Sequence, residues 1–382
     1  MKITFYILIL LSTLSCNGQV EKRDSFQLSI SPAIDTTNTE NKEVLLVVEN
    51  FLKTKNYSLS TNKYWLDSEF IKYIYPFADI YGIEKSKKSD NYYKPTLMEL
   101  VNVEENEKLV KIGFVGYDTG TQQSIIRAVY NVIAIQNNGN WVLKRAINYQ
   151  VREWNMIQKG SITYMLPKAK TASQTEIKKQ TDDIVDICNF FNCSPIDITY
   201  YSCENPKQVF EVKGFDYLPN MFFSQTGGMA DYGNIVYSGN NSEYYTHEIV
   251  HIYTKKLFPN ISSLLDEGMA TYIGGSGIYG YNWHREKMSE YFSDTTLNVA
   301  EHLNPYERLY IKNETPIPYM IGALICERVN RIYGKERLFE LLRSNEDIWG
   351  ILGDVGLTKE NLTKELKKEL KLTTTMVTDA QP

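Results

Sequence analysis

The chain has 382 residues, a net charge of about −5 and no basic run, which argues against nucleic acid as a partner. Beyond the first fifteen residues, no stretch approaches the ~20 consecutive apolar residues that a membrane-spanning helix needs. At this length one or two domains are expected, and the pattern of elements reads as two.

Met1 to Ser15 carry one basic residue, Lys2, then an apolar run from Ile3 to Leu11, then small residues before Cys16. That is the shape of a secretory signal over residues 1–16, too short to span a bilayer. Thr13-Leu14-Ser15-Cys16 resembles a bacterial lipobox, which would make Cys16 a lipidated first residue after cleavage; simple secretion is the alternative. The expectation is an exported protein, tied to a bacterial cell envelope through a lipid anchor only, or secreted. Residues 17–42 are rich in Ser, Thr, Asp and Asn and read as a linker. Beyond Cys16, Cys188, Cys193, Cys203 and Cys326 could form up to two disulfides in an oxidising compartment, with three connectivities open.

Residues 43–157 open with a helical stretch, EVLLVVENFLKT, and continue with four Tyr/Val/Ile-rich segments. Gly120 and the Asn137-Asn138-Gly139-Asn140 cluster mark hairpin turns between them. A helix followed by a curved antiparallel sheet would be similar to a cystatin-like or NTF2-like accessory domain. No catalytic constellation falls within it.

Residues 160–372 form the second domain, α+β with a helical C-terminal half, followed by a polar tail at 373–382. A helix from about Ser173 to Phe191 carries Ile177, Ile184, Ile187 and Cys188 on one face. The segment from Gly227 to Tyr237 reads as one edge strand. ISSLLDEGMATYIGG reads as a helix capped by Ser262 or Ser263. Further helices are expected at about 284–292, 318–333, 335–343 and 358–371.

The chemistry centres on Tyr244 to Phe258, which contain His247, Glu248 and His251 in the pattern H-E-x-x-H. With four histidines in the chain, random placement would give this pattern roughly once in several hundred such sequences. On a helix, His247 and His251 lie one turn apart on one face and can share a tetrahedral zinc ion. Glu248 lies about 100° around the same turn, able to reach a water in the open position without becoming a ligand. Asn240, Asn241 and Ser242 are N-cap candidates, and Pro259 follows the C-terminus. A third ligand must come from elsewhere. Glu267, sixteen residues after His251, sits in the next helix, where small Gly268 and Ala270 permit close packing.

HEIVH followed by LLDEGMATY resembles the gluzincin metallopeptidases, nearest to their aminopeptidase N-like branch. The resemblance covers roughly residues 160 to 345 and implies a thermolysin-like fold, one zinc ion on His247, His251 and Glu267, and peptide hydrolysis with Glu248 as general base. Gly227-Gly228-Met229-Ala230-Asp231-Tyr232-Gly233 is similar in phase to that branch's G-A-M-E-N-W-G strand. It implies that Gly227, Gly228, Met229 and Ala230 bind substrate backbone. Tyr319 in Tyr319-Met320-Ile321-Gly322-Ala323 is similar to the family's oxyanion-binding tyrosine, with His284 the competing donor; His302 looks incidental. The chain departs from the family at Ala230, where the aminopeptidases place the glutamate that holds a free amino terminus. Asp231 is adjacent, but strand alternation points it to the opposite face. An endopeptidase, or a peptidase with another terminal preference, is therefore expected. The competing reading is a non-catalytic metal-binding or peptide-binding envelope protein on a peptidase fold; Glu248 separates the two, because it serves catalysis without being needed for metal affinity.

Overall fold

The computed structural model describes residue 26, residues 28–294 and residues 296–372; Cys16 and the polar tail lie outside the described residues. Its architecture is α+β, built on two main sheets with helices against them.

The first sheet runs in the order β1 (Ser29–Ile30), β2 (Lys94–Glu104), β3 (Glu107–Asp118), β4 (Gln123–Asn137) and β5 (Asn140–Arg145). β1 joins β2 in parallel and the remaining neighbours are antiparallel. At the β4–β5 turn Asn138 and Gly139 both take positive φ, 51° and 78°, the combination that a tight hairpin twisting with its strands requires. Helix α1 (Thr39–Thr54) buries Val44, Leu45, Val48, Phe51 and Leu52, one stripe at helical spacing, against Leu97, Val110, Ile112 and Leu143 of the sheet. Two short helices, α2 (Asp67–Tyr73) and α3 (Ile147–Gln150), precede β2 and follow β5 in the chain.

The second sheet contains β6 (Asn155–Lys159), β7 (Ile162–Leu166), β8 (Ile198–Ser202), β10 (Gly228–Asp231) and β11 (Ile235–Ser238), in the order β10-β11-β8-β7-β6. Its middle strands are parallel and both edges antiparallel. Between β8 and β10 the chain forms α5 (Pro206–Val212) and then β9 (Phe215–Tyr217), which pairs with β4 of the first sheet. Phe215 is buried in that sheet's core, so the two bodies share chain as well as surface.

One face of the second sheet packs on α4 (Gln174–Phe191) and α6 (Thr246–Leu257): Tyr164, Tyr200 and Val236 share a core with Ile184, Ile187, Ile249 and Val250. The same core continues into α7 (Ser263–Gly274), α8 (Tyr281–Asp294) and α9 (Ile317–Arg343). Ser173 and Ser262 cap α4 and α7 by accepting from Glu176 N and Leu265 N. α9 breaks at Gly334, with φ 81° and ψ 171°, where the glycine in the sequence predicted a stop. The strands β12 (Tyr310–Ile311) and β13 (Thr315–Pro316) precede α9, and α10 (Ile348–Gly353) and α11 (Leu362–Glu369) follow it. The last helix begins later than the pattern suggested, because Thr358 N–H is taken by Asn361 Oδ1 at 2.8 Å in a turn.

The stretch from Gly227 to Tyr237 is a hairpin, not one strand: Gly233 and Asn234 take φ of 80° and 56° and reverse the chain, leaving β10 at the edge and β11 inside. Cys188, Cys193, Cys203 and Cys326 are all thiols. Among the described residues no helix is long and apolar enough to cross a membrane.

Candidate metal centre

Helix α6 is buried continuously from Thr246 to Thr254. Ile249 and Val250 on it are fully buried and contribute roughly 1.5–3 kcal/mol each, which helps offset taking His247, Glu248 and His251 out of water. Its start is not capped by Asn240, Asn241 or Ser242 as expected. Asn240 Oδ1 instead accepts from Gly227 N at 2.7 Å, and the helix opens at Thr246 after Tyr245, with no side-chain cap. α4 anchors this end from a distance: Tyr245 N–H donates to Gln180 Oε1 at 2.7 Å, and Thr246 Oγ1 to Asp183 Oδ2 at 2.6 Å.

Glycines bring the other two helices to α6. A Cβ on Gly274, at the end of α7, would come within 2.5 Å of His247 N, and one on Gly268 within 2.4 Å of the Gly322 carbonyl carbon in α9. Only hydrogen at these positions allows such approach. As a result Glu267 faces α6, and Tyr319, one turn before Gly322, stacks on His247 with ring centroids 5.9 Å apart and planes 14° from parallel.

Ligand-type atoms of His247, His251 and Glu267 lie within 4.8 Å of one another. Glu267 Oε2 is 3.3 Å from His247 Nε2 and 3.5 Å from His251 Nε2. His247 Nδ1–H donates to the Gly275 carbonyl at 2.7 Å, so Nε2, which faces Glu267, is the ring nitrogen left for a metal. His251 Nδ1 is 3.0 Å from Asp266 Oδ2, although out of line for a regular hydrogen bond, so the contact acts chiefly as charge attraction. Asp266 is itself held by Thr254 Oγ1.

Burial alone would lower the His251 pKa, but Asp266 beside it, with Glu267 and Glu248, raises it to about 10. Burial would likewise raise Glu267, yet His247 and His251 hold it far below the usual carboxylate range. Asp266, Glu267 and Glu248 thus favour a proton on His251. A divalent cation satisfies the same demand and displaces that proton, and two imidazole nitrogens with one carboxylate oxygen suit zinc.

These residues line a cleft of about 1180 Å³ together with Gly228, Ala230, Tyr245 and Tyr310. Glu248 Oε2 accepts from Ala230 N–H at 2.7 Å. Gly227 O accepts from Gly239 N, so by antiparallel alternation Gly227 and Met229 turn their peptide groups toward β11, while Gly228 and Ala230 turn theirs to the cleft. Met229 and Asp231 point their side chains away: Asp231 Oδ2 meets Lys213 Nζ at 2.9 Å and Arg145 Nη2 at 3.7 Å. His284 is fully buried and bonded to Thr315 Oγ1 and the Ser276 carbonyl at 2.9 and 2.8 Å, supporting the loop that offers Gly275 to His247. His302 pairs with Glu307 and does not line the cleft. Asp266, next to Glu267, was within reach of sequence reasoning as a neighbouring acid on the α6-facing side; the Gly275 carbonyl leaves no signal in the sequence.

No family model matches the chain, and no curated protein matches it. Among solved structures, a mutant of an M1 zinc metallopeptidase from Deinococcus radiodurans, bound to a Tyr-Ser-Ala substrate, is similar at 12% identity over 75% of this chain and 66% of that one, with a TM-score of 0.29. The likeness is too slight to carry an argument about family or chemistry.

Proposed function

We propose that the protein is a zinc-dependent peptidase of gluzincin type. The observation that carries the reading is the convergence of His247, His251 and Glu267 within 4.8 Å, with Glu248 on the next position of the same helix and bonded to an edge strand rather than joining the three. Residues 160–372 would be a thermolysin-like peptidase domain and residues 43–157 a cystatin-like or NTF2-like accessory, with β9 lent by the former to the sheet of the latter.

His247, His251 and Glu267 would hold the ion. When bound, zinc would supply a Lewis acid that makes water nucleophilic near neutral pH. Glu248 would take a proton from the attacking water on a carboxylate oxygen and pass it to the departing amine. Tyr319 Oη donates a hydrogen bond to the carbonyl oxygen as charge develops on it. The substrate backbone pairs with the outward peptide groups of Gly228 and Ala230 by strand addition, and Ala230 N–H then exchanges Glu248 for a substrate carbonyl. The cleft, at about 1180 Å³, exceeds the usual range for small-molecule pockets and suits several residues of an extended chain. With alanine at position 230, nothing on β10 selects a free amino terminus, which favours an endopeptidase. The test is zinc stoichiometry together with chelator-sensitive cleavage of a diverse peptide library; a zinc-loaded, folded protein that cleaves nothing would sink the proposal.

Export and a lipid anchor at Cys16 belong to the same proposal. Labelling with a fatty acid that Cys16→Ser abolishes supports the anchor; equal labelling of both proteins contradicts it.

A further inference from the structure

One wall of the cleft comes from the first half of the chain, where no motif pointed. After α2 the backbone reverses at Ile74, with φ 61° and ψ −53°, and Tyr75 N–H donates to the Tyr73 carbonyl at 2.6 Å. This is the γ-turn of positive φ, rare and strained, and a β-branched residue at its centre is a marked outlier. Strain of this kind persists where the surroundings over-determine it. Tyr73 is buried with the Arg145 guanidinium over its ring at 4.7 Å. Gly233 of the β10–β11 turn lies so close that a Cβ on it would sit 2.2 Å from the Lys72 carbonyl oxygen. Tyr75 meets Tyr232 edge-to-face at 4.8 Å.

The strained turn holds Ile74 and Tyr75 against the same cleft as His247, Glu248 and Glu267. Ile74 and Tyr232 are each 47% exposed there, a branched aliphatic and a phenol ring that could have been turned inward or replaced by polar groups. The carboxylate next to Tyr232 in the chain, Asp231, is directed onto Lys213 and Arg145.

We propose that Ile74, Tyr75 and Tyr232 form a subsite for an apolar side chain of an extended peptide. The strand sets the position: Ala230 marks the catalytic end through Glu248, β10 ends at Asp231, and Tyr232 follows as the first residue of the turn, two residues beyond Ala230. A paired ligand advances ~3.4 Å per residue, so the side chain received here sits about two residues from the bond cleaved. The first half of the chain is thereby a determinant of specificity. The subsite rests on the peptidase reading for its scissile bond but not for its binding.

Two arms test it. In the first, zinc-loaded protein digests a diverse peptide library, cut sites are mapped by mass spectrometry, and the profile is compared with Ile74→Gly and Tyr75→Ala. Ile74→Gly removes the side chain while relieving the backbone, so melting temperature serves as the folding control. The expected result is an aliphatic or aromatic preference about two residues from the cut. Each variant should reduce it roughly tenfold, through KM, with other positions unchanged. Cleavage without that preference, or a preference that survives both variants, overturns the subsite and leaves the peptidase reading standing.

The second arm measures anisotropy of labelled ten-residue peptides, with Leu or Asp at the tested position, on Glu248→Gln protein. Weaker binding of the Leu peptide on adding Ile74→Gly, with the Asp peptide unmoved, supports the subsite even if no peptide is cleaved. Equal loss for both peptides, or no binding of either, overturns it.

Discussion

Gly268 of α7 and Gly322 of α9 meet backbone to backbone: a Cβ on Gly322 would fall 2.9 Å from the Gly268 Cα and 2.4 Å from the Leu264 carbonyl oxygen. The crossing lies directly after Glu267 on one helix and one turn after Tyr319 on the other. It therefore sets how both side chains reach His247.

Adding a methyl group at this crossing forces the helices apart. Gly268→Ala and Gly322→Ala should each cost about 1–3 kcal/mol, as overpacking of a close-packed core does, and should weaken zinc retention. Thermal denaturation of apo and zinc-loaded protein measures both; unchanged stability would mean that the helices do not approach this closely.

Asp266 meets His251 at Nδ1, the ring nitrogen opposite the Nε2 that faces Glu267. Asp266→Asn should lower zinc affinity 10- to 100-fold, the usual effect of removing a partner that orients a ligand imidazole, while Glu267→Gln lowers it further. Competition against a chelator of known affinity reads the difference. Equal affinity for Asp266→Asn and parent would contradict the orienting role.

Removal of the Tyr319 hydroxyl separates chemistry from packing. Tyr319→Phe should reduce kcat about 10²- to 10³-fold with KM and zinc content nearly unchanged, because the ring still stacks on His247. A variant with full kcat but reduced stability would make Tyr319 a packing residue only.

Asp231 ties β10 to the first half of the chain. Burial alone would raise its pKa, but Lys213 and Arg145 hold it below its ordinary value of 3.8. A depressed carboxyl gives stability that is complete above the unfolded value and is lost as pH falls through the lower folded one. Asp231→Asn should cost up to about 3 kcal/mol near neutral pH, the low end for unpairing a buried charge, since Asp79 still faces Lys213 at 3.1 Å and Arg145 at 3.6 Å. Denaturant melts should show the gap between parent and variant closing below 3.8. A gap that stays constant into acid would contradict the ionised pairing.

What could be read from the sequence was local. His247, Glu248 and His251 follow from one helical repeat, α4 from its apolar spacing, α7 from a serine cap, and the break in α9 from Gly334. What could not be read depends on partners far along the chain. The start of α6 is fixed by Gln180 and Asp183, more than sixty residues earlier, so the nearby Asn240, Asn241 and Ser242 misled. Gly233 and Asn234 split an apparently continuous strand because their positive φ values outweigh its alternation. The placement of Ile74 and Tyr75 beside β10 is a matter of packing between two bodies, on which hydrophobic periodicity is silent.

On the proposed reading, Glu248 performs chemistry at a metal held by three other residues. The most direct measurement is peptide cleavage by the zinc-loaded parent and by Glu248→Gln, each with zinc content determined and each repeated with a chelator. The expected result is equal zinc in both proteins, cleavage by the parent alone, and its loss on chelation and return with zinc. Equal zinc with no cleavage by either protein would contradict it and leave a metal-binding or peptide-binding protein on a peptidase-like site.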